Sequence, residues 1–447
     1  MCGIFGVTVG DRSLRASQVP RLLDDLFLFS ESRGKEASGI AVCRRETIHV
    51  LKSAVAASSM IRSRQYRGLL ADTFRATAEP LEPITIIGHS RLVTDGSRYE
   101  QGNNQPVIAG DCVGIHNGII VNSEDIWLKE SDLRRQYQVD SEVIFALLRK
   151  FLREQESIAD AARKTYTSIE GSASVAVLFS DFDRLLLATN NGSLYYANLA
   201  PLRIFIFASE QYILDRLLAK HLPRHADEAA VRKVEPGRGC LLDIENVTAF
   251  DFRLTDASKP AASDPKRGVV RTIVELQGIL PKNHSDLGAQ QIAGRRTPLD
   301  TDTVQQIQIV ARKYPHDPTW QDSLVRCTKC VLPETMPFIA FDDAGVCNYC
   351  RTYRQIRYKG EAALRELVER FRRADGRPEC VLGISGGRDS SYALHYIKQV
   401  LGLNVVAYTY DWGMVTDLAR RNISRMCARL GVEHILVSAD IVRKREN

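Results

Sequence analysis

The sequence predicts a layered α+β domain built on stacked sheets, followed by a cysteine knuckle and a smaller α/β domain with a parallel sheet. Three observations predict it. Short apolar stretches with strand alternation recur around helical stripes through the first half. Two Cys-x-x-Cys pairs, Cys327/Cys330 and Cys347/Cys350, stand 16 residues apart. The last part reads strand, glycine-rich turn, helix, strand, helix, strand.

In order, Ile4, Phe5 and Val7 read as a buried strand. Leu22, Leu23, Leu26 and Phe27 make one helical face within 19–29, and 33–39 reads as a polar loop. Strands are predicted at 40–43, 48–51, 84–87, 107–109, 112–115 and 174–179, and helices at 142–152 and 158–166. Strands returning between helices predict sheets packed on each other with helices outside. Three polar clusters interrupt this pattern: 88–96 after a strand, the turn dipeptide Asn117-Gly118, and Asp140, placed to cap a helix. From 255 to 320 prolines are frequent and strand periodicity is lost, which predicts a connector. The expected divisions are 2–245, a linker at 246–322, a knuckle at 323–355 and a nucleotide-binding type of domain at 356–447.

The length of 447 residues suits two to three domains, and 44% hydrophobic with 26% charged residues is ordinary for a globular chain. A net charge of +6 permits phosphate-bearing ligands without demanding nucleic acid. No apolar run reaches the ~20 residues that span a bilayer, and the start lacks a signal-peptide pattern. A cytoplasmic location is expected, with neither membrane nor nucleic acid as partner. Cys43, Cys112, Cys240, Cys380 and Cys427 are scattered in apolar or mixed runs and read as small buried hydrophobes.

Cys2 stands apart. Removal of Met1 leaves it with a thiol and a free α-amine on one residue. The amine, with an ordinary pKa near ~7.7–8.0, can take the thiol proton. A thiol attacking an amide needs donors for the developing oxyanion, and the Asn117 side chain with the Gly118 N–H can supply two. A free amino acid as substrate needs a cation for its carboxylate and an anion for its ammonium. Arg91 and Asp140 offer these.

The ordered set Cys2-Gly3-Ile4, Arg33-Gly34 with Ser38-Gly39, Gly88-His89-Ser90-Arg91, His116-Asn117-Gly118-Ile119-Ile120 and Asp140-Ser141-Glu142 resembles the class II glutamine amidotransferases of the N-terminal-nucleophile (Ntn) hydrolase type. The resemblance implies a four-layer αββα fold and hydrolysis of glutamine to glutamate and ammonia through a thioester at Cys2. It implies that Arg91 and Asp140 hold the glutamine and that Asn117 and Gly118 form the oxyanion hole. Leu92 and Asp95 stand where that family commonly has an aromatic residue and a histidine.

The C-x2-C-x16-C-x2-C spacing matches a closed site of four thiolates, which suits a structural Zn2+ or an iron–sulfur centre. Beyond it, 351–377 carries nine Lys/Arg against four Asp/Glu and reads as a solvated helix face. Ser385-Gly386-Gly387-Arg388-Asp389-Ser390 follows a buried strand and opens a helix, an arrangement that points N–H groups at phosphate. This region resembles the PP-loop ATP pyrophosphatases and, more closely, the N-acetyl sugar amidotransferases. The resemblance implies ATP with Mg2+, held by Ser385, Gly386, Gly387, Asp389 and Ser390, with Asp411 as a further contact. It implies a small-molecule sugar acceptor, adenylated and then aminated, in surface polysaccharide synthesis. That family's sheet continues past three strands, so a fragment, or a partner chain completing the sheet, is expected. Glucosamine-6-phosphate synthase-like, asparagine-synthetase-like and tRNA-modifying chemistry are the alternatives.

Overall fold

The computed structural model describes residues 2–10, 18–75, 82–93, 96–154, 157–223, 230–255, 270–280 and 323–438. Contacts divide the chain into one unit of Met1–Ala289 with Phe371–Asn447, and a second of Gln290–Arg370. Met1, Thr94, Asp95 and the connector at 281–322 lie outside the described residues.

The first unit opens with β1 (Gly3–Val9), α1 (Val19–Ser30), β2 (Ala37–Cys43), β3 (Thr47–Ser53), α2 (Ala57–Met60), α3 (Arg64–Arg75) and β4 (Ile84–Arg91). It continues through β5 (Val107–Ala109), β6 (Cys112–Ile120), α4 (Ser123–Lys129), α5 (Ser141–Glu154), α6 (Ile158–Ser168), β7 (Gly171–Phe179) and β8 (Arg184–Thr189). Then come β9 (Tyr195–Leu199), β10 (Ile204–Ala208), α7 (Gln211–His221), β11 (Arg232–Lys233), β12 (Arg238–Asp243), β13 (Thr248–Arg253) and β14 (Thr272–Leu276). One sheet has the order β11-β9-β10-β1-β4-β2-β3-β14, the other β13-β12-β8-β7-β6-β5.

Three apolar cores show how these layers stack. Phe5, Val7, Ile40 and Ile86 of the first sheet pack on Leu22, Leu26 and Phe27 of α1 and Leu214 of α7. Val175, Val177 and Leu186 of the second sheet pack on Val143, Leu147 and Ile158 of α5 and α6. Between them, Ile4, Ile87 and Val50 of one sheet meet Val113, Ile115, Ala176 and Leu187 of the other. Helices, sheet, sheet, helices is thus the layering, as expected. The reason lies in β1, where every residue is buried: a strand with covers on both faces reads as a continuous apolar run.

The connector differs from expectation. β13 pairs with β12, and β14 pairs in parallel with β3, so 248–253 and 272–276 are edge strands. Both are short and largely exposed or half-buried, which is why their periodicity is weak.

The same unit includes β15 (Cys380–Gly383), α10 (Arg388–His395), β16 (Val405–Asp411), α11 (Asp417–Leu430) and β17 (His434–Ser438). The strands form a parallel sheet in the order β15-β16-β17. Thr416 caps α11 by accepting from Ala419 N at 3.2 Å, and Gly431 ends it with φ +58°. This lobe rests on the sandwich. Tyr195 Oη donates to Glu433 Oε2 at 2.5 Å, Lys233 Nζ lies 3.2 Å from the same oxygen, and Leu436 packs on Leu92. In the second unit, α8 (Asn348–Thr352) follows Cys347, and α9 (Gly360–Glu369) groups with the knuckle rather than with the parallel sheet.

Candidate functional site

Strand parity builds the site. Ile4, Ile87, Ile115 and Ala176 point into the layer between the sheets. Because side chains alternate, Cys2, His89 and Arg91, Asn117, and Ser174 point into that same layer one or two steps farther along. The inter-sheet core therefore turns from apolar to polar at one end. Gly3 pairs with Ser90 across β1 and β4, and this register continued by one residue sets Cys2 opposite Arg91. Cys2, Arg91, Asn117 and Asp140 are all buried.

Cys2 Sγ lies 3.5 Å from the Leu92 carbonyl oxygen. Burial pushes its thiol pKa up; the Arg91 charge pulls it down and the Asp140 charge pushes it up, so both reach the sulfur electrostatically. The thiol therefore needs a base to become a nucleophile. Arg91 donates to Asn104 Oδ1 at 2.7 Å. Asn117 is fully buried, and among the described residues neither its amide nitrogen nor its oxygen has a hydrogen-bond partner. An unpaired buried amide costs ~1–3 kcal/mol, a cost that a ligand pairing with it would offset.

Gly118 has φ +156°, and a Cβ there would lie 1.9 Å from the Ser172 carbonyl oxygen, so no other residue fits that rung. Asp140 Oδ2 accepts from Ile120 N at 2.7 Å, tying the start of α5 to the end of β6. Gln105 holds β6 from the other side: its Oε1 accepts from His116 N at 2.6 Å and its Nε2 donates to His116 O at 3.1 Å. Burial lowers the His116 pKa, partly offset by Asp140, and its Nδ1 meets Ser141 Oγ at 2.9 Å.

Three polar stretches differ from the sequence reading. Asn117-Gly118 is no turn: β6 runs unbroken to Ile120, paired with β7 throughout. The loop expected at 33–39 and the polar cluster at 88–96 overlap strands, since β2 begins at Ala37 and β4 runs to Arg91. Polar residues here end strands inside a polar layer, so apolar alternation stops before the strand does.

In the C-terminal lobe, Gly386 has φ +78°, and a Cβ there would lie 2.5 Å from the Ala419 carbonyl oxygen. Gly387 is the N-cap of α10, and Ser385 Oγ meets Ser390 Oγ at 3.1 Å. Ser385, Gly387 and Asp389 are exposed, and the space beside Gly383 is open, so an anion could approach this turn. Asp411 is buried and accepts from Arg420 at 2.6 Å and Gly413 N at 2.9 Å, so it braces α11 rather than facing a cation.

The sulfur atoms of Cys327, Cys330, Cys347 and Cys350 lie within 4.8 Å of one another. Cys327 Sγ–Cys350 Sγ is 3.9 Å and Cys330 Sγ–Cys347 Sγ is 3.6 Å. Four sulfurs ~2.3 Å from a central zinc have tetrahedral edges of about 3.8 Å, so the cluster fits that ion. Burial opposes ionisation of Cys327, but the N–H groups of Cys330, Cys347 and Lys329 outweigh it and hold the thiol down to about 6.

With this geometry in view, residues 89–216 match the family model described as a glutamine amidotransferase domain. The chain carries a class II glutamine amidotransferase domain. It is 29% identical over 267 residues to a glutamine–fructose-6-phosphate aminotransferase of Gluconobacter oxydans, covering 58% of this chain and 38% of that one. It is 30% identical over 196 residues to the protein of that name from Geobacillus kaustophilus, covering 43% and 29%. The chain thus matches only 38% and 29% of the length of these two relatives. Among solved structures, a glutamine phosphoribosylpyrophosphate amidotransferase from B. subtilis aligns at 18% identity and a TM-score of 0.41, over 57% of this chain and 49% of that one.

Within the glutamine amidotransferase domain, sequence reasoning missed Asn104 and Gln105, which hold Arg91 and β6. Their signal was the polar run Asn103-Asn104-Gln105 just before a strand. Arg33 entered only as a motif position; the structure shows it buried and paired with Glu210 at 2.6 Å. Among the described residues no helix is long and apolar enough to cross a membrane.

Proposed function

We propose that this chain is a glutamine-dependent amidotransferase: Cys2 releases ammonia from glutamine, and the C-terminal lobe activates the acceptor that captures it. The convergence of Cys2, Arg91 and the unpaired Asn117 amide at the polar end of the inter-sheet layer supports the first half. With Met1 removed, the α-amine takes the thiol proton and sulfur attacks the glutamine carboxamide carbon. Asn117 Nδ2 and Gly118 N–H receive the oxyanion. The α-ammonium returns that proton to the departing nitrogen as the C–N bond breaks, ammonia leaves, and water adds to the thioester, releasing glutamate and restoring the Cys2 thiol. Arg91 pairs with the substrate carboxylate and Asp140 with its ammonium.

For the second half, the exposed turn at Ser385, Gly386, Gly387, Asp389 and Ser390 is read as a PP-loop that binds the phosphates of ATP with Mg2+. Adenylation makes an acceptor oxygen a leaving group for ammonia, and a sugar or N-acyl sugar in polysaccharide synthesis is the proposed acceptor. The four cysteines would hold a structural Zn2+, and the cytoplasm, where ATP and glutamine are plentiful, is the proposed location.

Cys2→Ala tests the glutaminase. Glutamate production falls by roughly 10⁴-fold or more, the scale of losing a nucleophile, with no drop in melting temperature. Persistence of activity overturns the assignment. A second reading, transfer to fructose-6-phosphate as the relatives' name states, is favoured by their sequence identity. Glutamine-dependent pyrophosphate release from ATP on adding a sugar supports the adenylation reading; amination of fructose-6-phosphate without ATP supports the other.

A further inference from the structure

α11 touches both candidate sites. Midway along it lies Ser424, which is buried. Its hydroxyl donates to the Ile119 carbonyl at 2.8 Å and accepts from Ser172 N at 2.7 Å. With its own proton committed, it also accepts from Ser172 Oγ at 3.0 Å. Ile119 and Ser172 are paired residues of the β6–β7 ladder, and Ile119 directly follows Gly118. One serine from the C-terminal lobe therefore bridges the rung beside the Gly118 N–H. Arg421 adds a contact to the Val121 carbonyl at 3.4 Å.

Nearer its N-terminus, the first turns of α11 carry the phosphate-type loop. Gly386 lies against the Ala419 backbone, and Asn422 Nδ2 donates to the Gly386 carbonyl at 3.4 Å. Ala419 and Ser424 are five residues apart, or ~7.5 Å along the axis. A helix is stiff over that length. Displacement of the loop at Gly386 therefore shifts Ser424, and Ser424 holds the carbonyl and amide that set the rung.

We infer that Ser424 is a positioning residue for glutamine hydrolysis, and that α11 links phosphate occupancy of the 385–390 loop to the oxyanion rung. This rests on the function proposed above. The hydroxyl touches no substrate; it acts by fixing where Gly118 N–H points. Asp140 holds the N–H of the same Ile119–Ile120 peptide and keeps that bond without Ser424, and Arg91 stands on the other sheet, so loss of the hydroxyl affects turnover more than glutamine binding.

The test uses the full chain. Glutaminase kcat and KM are measured with and without ATP and Mg2+ for wild type, Ser424→Ala and Ser424→Cys, alongside melting temperature. In Ser424→Ala, kcat falls about tenfold, less than the ~10² to 10³ that loss of an oxyanion donor costs, while KM stays within about twofold. Ser424→Cys, which keeps a weak donor and acceptor, recovers part of kcat. ATP changes kcat in wild type and not in Ser424→Ala, although both bind ATP. Unchanged kcat with a retained ATP response overturns the inference. So does an equal loss in both variants with a lowered melting temperature, which marks a merely structural serine. A wild type active on glutamine but indifferent to ATP overturns the link. A wild type with no glutaminase at all brings down the proposed function itself, a distinguishable result.

Discussion

The N-terminal sandwich and the C-terminal sheet are both built from strands and helices, but they differ in cover. β1, β4 and β7 are buried at every residue. β15 alternates half-buried and exposed positions, and Val381, Tyr408 and Tyr410 lie exposed on one face of its sheet. The opposite face packs Val405 and Ala407 on Leu394, Ile423 and Cys427. Parallel sheets ordinarily bury both faces. The sandwich is thus self-sufficient, while the lobe has one apolar face of its own and leans on the sandwich through α11, Glu433 and Leu436. A thiol proposed to meet an oxyanion hole within fractions of an ångström belongs in the first kind of core.

That contrast can be broken most forcefully at Leu187, buried between the two sheets. Leu187→Ala costs ~2–5 kcal/mol by cavity formation, read as a drop in the main unfolding transition, and takes the glutaminase with it. Next is Tyr195→Phe, which removes the donor to buried Glu433. A hydrogen bond to a charged group is worth ~1.5–3 kcal/mol. The loss should appear as faster amide exchange in β16, β17 and α11, with the sandwich unchanged.

Acid sharpens the comparison more gently. Burial holds His89, His116 and His434 below the usual histidine range, helped at His89 by the Arg91 charge and at His434 by Arg33. The fold keeps them neutral while the unfolded chain protonates near ~6.5. The unfolded state thus gains protons first, so stability is intact above that pH and is lost below it. Each histidine contributes up to ~1.4 kcal/mol per pH unit in that window. Two lie in the sandwich and one in the lobe, so melting followed by a sandwich probe is the more acid-sensitive. The smallest effect is at Val381, 71% exposed: Val381→Ala shifts stability by no more than about 0.5 kcal/mol. A larger loss in denaturant titration would mean that something covers that face.

Much of this was legible in the residues because apolar alternation tracks burial. The runs through Ile4, Ile40, Ile86 and Val177 located strands, and the stripe of Leu22, Leu23 and Leu26 located α1. Legibility failed where burial and polarity coincide. Ala37–Gly39 read as loop, Gly88–Arg91 as a polar cluster past a strand and Asn117–Gly118 as a turn because their polar or small side chains suit solvent, yet they are strand residues at the polar end of the inter-sheet layer. Ser424 was invisible for another reason: one serine on an amphipathic helix carries no pattern, and its value comes only from the distant rung it meets. Asp411 shows the reverse error, since a carboxylate at a strand end suggests a ligand until Arg420 is seen to hold it.

The alternation that seats Ile4 in the layer between the sheets also aims the sulfur two residues earlier. Chemical competence is therefore inherited from pairing phase rather than from any local device. Inserting a single glycine between Cys2 and Ile4 would leave every reactive group intact and the hydrophobic content unchanged. It would nevertheless rotate the thiol to the helix-covered side of the sheet, silencing the proposed glutaminase without unfolding the chain.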